Sequence, residues 1–150
     1  MIGASADPIS ALAHLQLALP LLIAEVERNP EEVDGHFNLG ILYGLLGRTD
    51  EAIVEFSQAI RLRPGDAQAR FNLGTALASR NRLDEAVNQF AEAVRLAPEY
   101  TPSHFSLGKV LRALGRQDEA EREYRETLRL DPVYPEARRE LEGLVGSTKR

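Results

Sequence analysis

The chain has 150 residues, of which 43% are hydrophobic and 27% charged, the composition of a folded soluble domain rather than of a disordered chain. Its formal net charge of −5 argues against nucleic-acid binding through a general basic surface. Cysteine is absent, which excludes disulfides, thiol catalysis and cysteine-based metal sites.

Residues 11–24, ALAHLQLALPLLIA, are the one stretch that could be a targeting or membrane segment. No basic residues lead into this stretch, and His14, Gln16 and Pro20 interrupt it. A signal peptide needs a cationic start and a cleavage site of small residues, whereas a membrane span needs about 20 apolar residues. We therefore expect a soluble, cytoplasmic protein without membrane insertion.

A five-residue motif then occurs three times, each copy starting 34 residues after the one before. The motif reads HFNLG at 36–40, RFNLG at 70–74 and HFSLG at 104–108. Such a fixed period indicates a stack of equivalent supersecondary units. An alanine, an aromatic residue and a proline follow each motif at matching offsets. These residues are Ala52, Ala86 and Ala120; Phe56, Phe90 and Tyr124; and Pro64, Pro98 and Pro132.

Each unit predicts two helices joined by a short turn, because its apolar residues recur at the spacing of one helical face. The turns contain Gly47, Asn81 and Gly115, residue types that tolerate a left-handed backbone after a helix. Glycine and alanine where the two helices face each other would let them approach closely. The apolar faces of the first unit are Leu39, Leu42, Tyr43 and Leu46, and then Ile53, Phe56, Ile60 and Leu62.

These residues resemble the tetratricopeptide repeat, a helix–turn–helix unit of the same length. The resemblance implies an all-α fold, a right-handed superhelical solenoid. At the position of the family's usual tryptophan the units have His36, Arg70 and His104, which predicts looser packing inside each repeat. The predicted repeats are residues 33–66, 67–100 and 101–134.

The two ends predict caps on the stack. Residues 1–32 form an N-terminal helical segment that we interpret as a degenerate half-repeat, with its helix in residues 16–30. Within it, Pro20 either starts a shortened helix or kinks a longer one. Residues 135–150 are a predicted capping helix and tail, whose inward-facing residues are Leu141, Leu144 and Val145.

In this family the first helices line a concave groove, and the resemblance implies that groove residues here bind a peptide. An asparagine side chain can satisfy both polar groups of a peptide unit, and phenylalanines add apolar contact. Basic residues near the C-terminal end would favour an acidic residue or a free carboxylate. The candidate groove residues are Phe37, Asn38, Phe71, Asn72, Phe105, Ser106, Lys109, Arg112 and Arg139.

Each of these assignments has a plainer alternative. The asparagines could satisfy local backbone groups, the rings could pack against neighbouring repeats, and the basic residues could be solvated surface charges. The carboxylate clamp of co-chaperone members of the family is absent, because only Asn72 matches its pattern. The other clamp positions hold Phe37, Ile41, Pro102 and Ser106.

The sequence contains no phosphate loop, nucleophile elbow or zinc motif. His36 and His104 share one repeat position, and neither has a carboxylate partner fixed by sequence spacing. We therefore expect a non-catalytic protein–protein interaction module, without cofactor or metal, that binds a peptide segment of a protein partner.

Two alternatives remain open for the function. The N-terminal segment has more leucines than a half-repeat can easily bury, so it could pair with a second copy and make the protein a homo-oligomerising scaffold. The chain could also be one piece of a larger protein whose chemistry lies elsewhere. The leucines are Leu12, Leu15, Leu17, Leu19, Leu21 and Leu22.

Overall fold

The computed structural model describes residues 8–147, and all regular structure in that range is helical. The chain divides into two compact units, one ending at Pro64 and the other beginning at Gly65. The helices are α1 (Pro8–Arg28), α2 (Val33–Leu45), α3 (Thr49–Leu62), α4 (Ala67–Ser79), α5 (Leu83–Leu96), α6 (Thr101–Ala113), α7 (Gln117–Leu130) and α8 (Pro135–Ser147).

In the first unit, α2 and α3 form a helical hairpin, and α1 packs against α2. The turn of the hairpin contains Gly47, whose φ of 72° is left-handed, as its residue type predicts. The apolar face predicted for α2 is confirmed, because Leu39, Leu42 and Tyr43 are buried.

Helix α1 is longer than the sequence predicts. It begins at Pro8 and continues through Pro20 to Arg28, so of the two alternatives for Pro20 the shortened helix is wrong and Pro20 lies inside a longer one. An interior proline removes one backbone hydrogen bond, and packing against α2 compensates for this loss. The half-buried residues of α1 recur at helical spacing and are Leu15, Ala18, Leu19, Leu22, Ile23 and Val26.

The second unit contains two further hairpins, α4–α5 and α6–α7, and the terminal helix α8. Asn81 and Gly115 lie in the hairpin turns at φ values of 59° and 76°, which confirms the turn prediction. Helix α5 packs against both α4 and α6, while α8 packs against α7. Helix α5 therefore lies behind the pair formed by α4 and α6.

Helix α8 packs against α7 through Ala137 and Leu144, which are buried, and Leu141 is half-buried. The prediction that Val145 also faces inward is wrong, because 39% of this residue is exposed. Val145 lies about 100° around the helix from Leu144, at the edge of the face formed by Ala137, Leu141 and Leu144.

One contact recurs inside all three hairpins and sets the distance between their helices. The motif glycine of each first helix lies against the aromatic ring of the second helix, where a Cβ atom would overlap the ring. That Cβ would lie 2.8 Å from Phe56 at Gly40, 2.9 Å from Phe90 at Gly74 and 2.7 Å from Tyr124 at Gly108. Only glycine permits this helix spacing with an undisturbed ring.

Two glycines of α2 provide a direct test of this contact. Gly40→Ala should lower the free energy of unfolding by about 1 to 3 kcal/mol, because its methyl group would displace the Phe56 ring. Gly44 lies one turn further along the same helix, and a methyl group added there would have no atom within 4 Å. Gly44→Ala should therefore raise the stability by up to about 1 kcal/mol through helix propensity. Urea unfolding measures both, and equal effects of the two substitutions would contradict the contact's role.

Candidate functional site

A cavity of about 160 Å³ opens between α4 and α6 in the second unit. Thr75 and Ala78 lie on one side of it, one turn apart on α4. Ser106, Lys109 and Val110 occupy adjacent turns of α6 on the other side. The ring of Phe90, which is 2% exposed, forms the base from α5.

Two of these lining residues, Ser106 and Lys109, are among the groove residues predicted from the sequence. Sequence reasoning missed Thr75 and Ala78, although a signal for them exists. Thr75 lies 34 residues before Lys109 and therefore holds the same repeat position, and Ala78 likewise corresponds to Arg112. Extending the groove positions to every unit finds both α4 residues.

Lys109 is exposed and lies beside Phe105, with the ammonium nitrogen 5.8 Å from the centre of the ring. None of the carboxylates in residues 8–147 forms an ion pair with it. The other lining residues of the cavity carry no acidic group either. The cavity thus combines an apolar base with one ammonium group that no carboxylate among the described residues neutralises.

The polar side chains at the sixth repeat position differ in burial. Asn38 is exposed on α2, whereas Asn72 on α4 and Ser106 on α6 are half-buried. The Nδ2 atom of Asn72 is buried and has no hydrogen-bond partner. The Nδ2 atom therefore makes no bond to local backbone groups.

The three phenylalanines among the predicted groove residues are half-buried, and each packs inside its own hairpin. Their ring centres lie 6.0 Å from Phe56, 5.7 Å from Phe90 and 5.9 Å from Tyr124, in the order Phe37, Phe71 and Phe105. Tyr100 and Tyr134 cover Phe71 and Phe105 further, at 5.4 Å and 4.9 Å. These rings therefore serve the repeat core as well as the surface.

The predicted basic groove residues near the C-terminal end differ in whether a carboxylate of the chain already pairs with them. Arg112 forms an ion pair with Glu140 of α8, which neutralises it. Arg139 is exposed, with its Nη2 4.0 Å from Oε1 of Glu136, and it lines a separate cavity of about 360 Å³ beside Val133. Lys109 alone among the three lines the cavity between α4 and α6.

His104 is buried between two hydrogen-bond acceptors. Its Nδ1 lies 2.7 Å from Oε2 of Glu123 on α7, and its Nε2 lies 2.9 Å from the carbonyl oxygen of Pro98. Both ring nitrogens must donate to make both bonds, which selects the imidazolium form. The hydrogen bond to Glu123 raises the pKa of His104, burial opposes the rise, and the Pro98 carbonyl adds to it.

The same arrangement recurs in the first unit, where His36 contacts Glu55 at 2.7 Å and the Pro30 carbonyl oxygen at 2.9 Å. The expectation that spacing fixes no carboxylate partner is therefore wrong, because the glutamate follows the histidine by 19 residues in both repeats. The middle repeat pairs Arg70 with Gln89 at the same two positions. The signal that sequence reasoning missed is a covariation between these two positions: where the first is histidine the second is glutamate, and where the first is arginine the second is glutamine.

The looser packing predicted at this position is also wrong for the histidines. Only 7% of His36 and 5% of His104 is exposed, and each ring makes two hydrogen bonds. The imidazole, smaller than the indole that it replaces, fills its site through polar contacts instead of apolar area.

Residues 8–147 contain no group of three or more metal-ligating side chains that could hold a metal ion. In the same part of the chain, no helix has the length and apolar character required to cross a membrane.

The sequence profile of the tetratricopeptide repeat family matches residues 11–56, 46–101 and 102–132, which together cover most of the chain. The chain belongs to this family. Tetratricopeptide repeat proteins are in general interaction modules rather than enzymes. None of the curated proteins matches the sequence.

Several solved structures share the tetratricopeptide fold of this chain. A crystal structure of MamA has a TM-score of 0.89 at 20% identity, over 99% of this chain and 87% of that one. MamA 41-end from Desulfovibrio magneticus RS-1 has a TM-score of 0.85 at 18% identity, over 90% and 76%. The first tetratricopeptide domain of Spaghetti (RPAP3), bound to the HSP90 peptide SRMEEVD, has a TM-score of 0.76 at 24% identity, over 79% and 94%. These likenesses confirm the predicted all-α tetratricopeptide solenoid.

The His104 contacts generate a pH-dependent prediction. Because the folded-state pKa lies above the ordinary value of 6.5, this contact stabilises the fold fully below about pH 6.5 and is lost as the pH rises through the folded pKa. Glu123→Gln should lower the unfolding free energy by about 1 to 3 kcal/mol at pH 6, and the deficit should shrink toward pH 9.

Urea unfolding of the wild type and the variant between pH 5.5 and 9 measures this difference. Gln89→Ala, at the equivalent position of the middle repeat, is the control, because its arginine partner does not titrate in this range. A deficit of Glu123→Gln that stays constant with pH would contradict the assignment.

Proposed function

We propose that this chain is a non-catalytic interaction module that binds a peptide segment of a partner protein on the exposed face of α4 and α6. The observation that carries the proposal is the α4/α6 cavity together with the unpaired Nδ2 of Asn72. Asn72 lies one turn before the cavity residue Thr75 on the same helix. Rotation of the half-buried Asn72 side chain would bring this donor to a peptide carbonyl above α4, the acceptor that it lacks in the free protein.

Helix α2, the first helix of the hairpin in the other unit, supports the proposal independently. Helix α2 exposes Asn38, Ile41 and Leu45 at helical spacing, and 63% of Leu45 is accessible. Asn38 and Ile41 hold the repeat positions of Asn72 and Thr75. An exposed aliphatic residue, Ile41, at a position that lines the α4/α6 cavity favours a partner that contacts first helices.

The tetratricopeptide domain of Spaghetti (RPAP3) with its HSP90 peptide supports peptide binding by a related fold. This chain holds Phe37, Ile41, Pro102 and Ser106 at four of the five clamp positions of the co-chaperone domains, so its peptide chemistry differs from theirs. Under the proposal the chain uses no cofactor, and its cytoplasmic location stays a prediction.

A second candidate function is self-assembly through α1, which the exposure of its leucines favours. The exposed fraction is 46% for Leu12, 70% for Leu17 and 73% for Leu21. Leu17 and Leu21 lie on the side of α1 away from its half-buried residues. A second copy of the chain could bury them.

Sedimentation tests this second function. The wild type should associate as its concentration rises, and Leu17→Glu/Leu21→Glu should remain monomeric with unchanged helicity, because two buried charges would oppose the contact. Val54→Glu, at an exposed apolar residue of α3, is the matched control and should associate as the wild type does. A wild type that is monomeric at all concentrations would exclude self-assembly.

Peptide display on the full chain tests the principal proposal. Peptides selected on the wild type should bind Asn72→Ala about 3- to 10-fold more weakly, because one hydrogen bond is lost. The variant should fold normally, since the Nδ2 atom makes no bond in the free protein.

Asn88→Ala is the matched control for this experiment, because Asn88 belongs to the same repeat and is exposed on α5. Its affinity for the selected peptides should equal that of the wild type. A selection that yields no peptides, or equal affinities of all three proteins, would refute recognition by this face.

A further inference from the structure

We infer that the α4/α6 cavity recognises a two-part motif in the bound peptide: an aliphatic side chain that enters the cavity and a neighbouring Asp or Glu that pairs with Lys109. This inference rests on the proposed peptide binding and specifies its ligand. The cavity and the unpaired ammonium group are adjacent on α6, so one short peptide segment reaches both.

The size and lining of the cavity select the aliphatic part. Its volume of about 160 Å³ is close to that of cavities which hold one benzene-sized group, so it suits Val, Leu or Ile rather than an indole. Phe90, Ala78 and Val110 give it an apolar base and wall. The hydroxyl of Thr75 already donates to the Phe71 carbonyl oxygen, so it does not need a hydrogen-bond acceptor from the ligand.

The charge around the cavity selects the acidic part. The lining residues include one cation and no anion, and the neighbouring Arg112 is already neutralised by Glu140. The ammonium nitrogen of Lys109 lies 5.8 Å from the centre of the Phe105 ring, and no ion pair with a described carboxylate involves it. A single ammonium group matches one carboxylate, whereas bidentate recognition of a phosphate group is typical of arginines, and the lining has no arginine.

The partner also has to suit the protein's overall charge. The chain carries a formal net charge of −5, so a strongly acidic peptide would be repelled at long range. A partner with one acidic residue beside an aliphatic residue gains the contact with Lys109, and its single negative charge is only weakly repelled by the net charge of the chain. The chemistry therefore favours a mixed motif over an acidic tract.

Display of random peptides on the full chain tests the inference through two variants. Lys109→Glu should bind the acidic peptides selected on the wild type roughly tenfold more weakly or worse, and should itself select Lys or Arg at that place. Ala78→Leu should fill the cavity and reduce affinity for peptides with the aliphatic residue by a similar factor.

Matched controls separate local from general effects. Arg122→Glu changes the net charge by the same amount on the exposed surface of α7, and Ala91→Leu adds the same side chain on the exposed surface of α5. Neither should change affinity. Urea unfolding of Ala78→Leu establishes that it folds, and Lys109→Glu tests the charge independently of the cavity.

The outcomes distinguish the inference from the function on which it rests. Acidic–aliphatic peptides that lose affinity for both variants but not for the controls establish the motif. Peptides that depend on Asn72 but not on Lys109 or Ala78 overturn the motif and leave peptide binding intact. A selection that yields no peptides overturns both.

Discussion

The contact between a glycine of one helix and an aromatic ring of the next is the constraint that determines the structure of each hairpin. Because Gly74 has no Cβ, α4 lies directly on the Phe90 ring, and the two helices approach until the α4 backbone meets that ring. Ala69, Ala86 and Ala93 are fully buried at this spacing. Larger residues at any of these places would separate the helices and open the core.

The same ring connects the fold to the candidate site. Phe90 fixes the position of α4 on one side and forms the base of the α4/α6 cavity on the other. Helix α5 holds α4 and α6 at the distance that leaves room for one aliphatic side chain between them. The cavity is therefore a consequence of repeat packing, while Lys109 and Ser106 give it a chemistry of its own.

The sequence predicts the features that depend on local geometry. The period locates the hairpins, and the left-handed turns at Gly47, Asn81 and Gly115 follow from residue type. Groove positions are predictable in the same way, since Thr75 follows from Lys109 by the repeat interval. These features repeat because each depends on backbone conformation or on contacts within one hairpin.

Features that depend on tertiary partners are less accessible to sequence reasoning. The pairing of His104 with Glu123 joins two helices, and Arg112 is neutralised by a residue of α8. The course of α1 through Pro20 depends on packing against α2, which outweighs the local preference of proline. Comparison between repeats recovers the histidine pairs, because the partner residue changes with the residue that it contacts.

Whether the first helices of the repeats present the binding face is decided by chemical-shift mapping of the ¹⁵N-labelled full chain with a display-selected peptide. The largest amide shifts should fall in α4 and α6, around Thr75 and Lys109. Shifts confined to α1, or to the exposed surfaces of α5 and α7, would contradict peptide binding by this face.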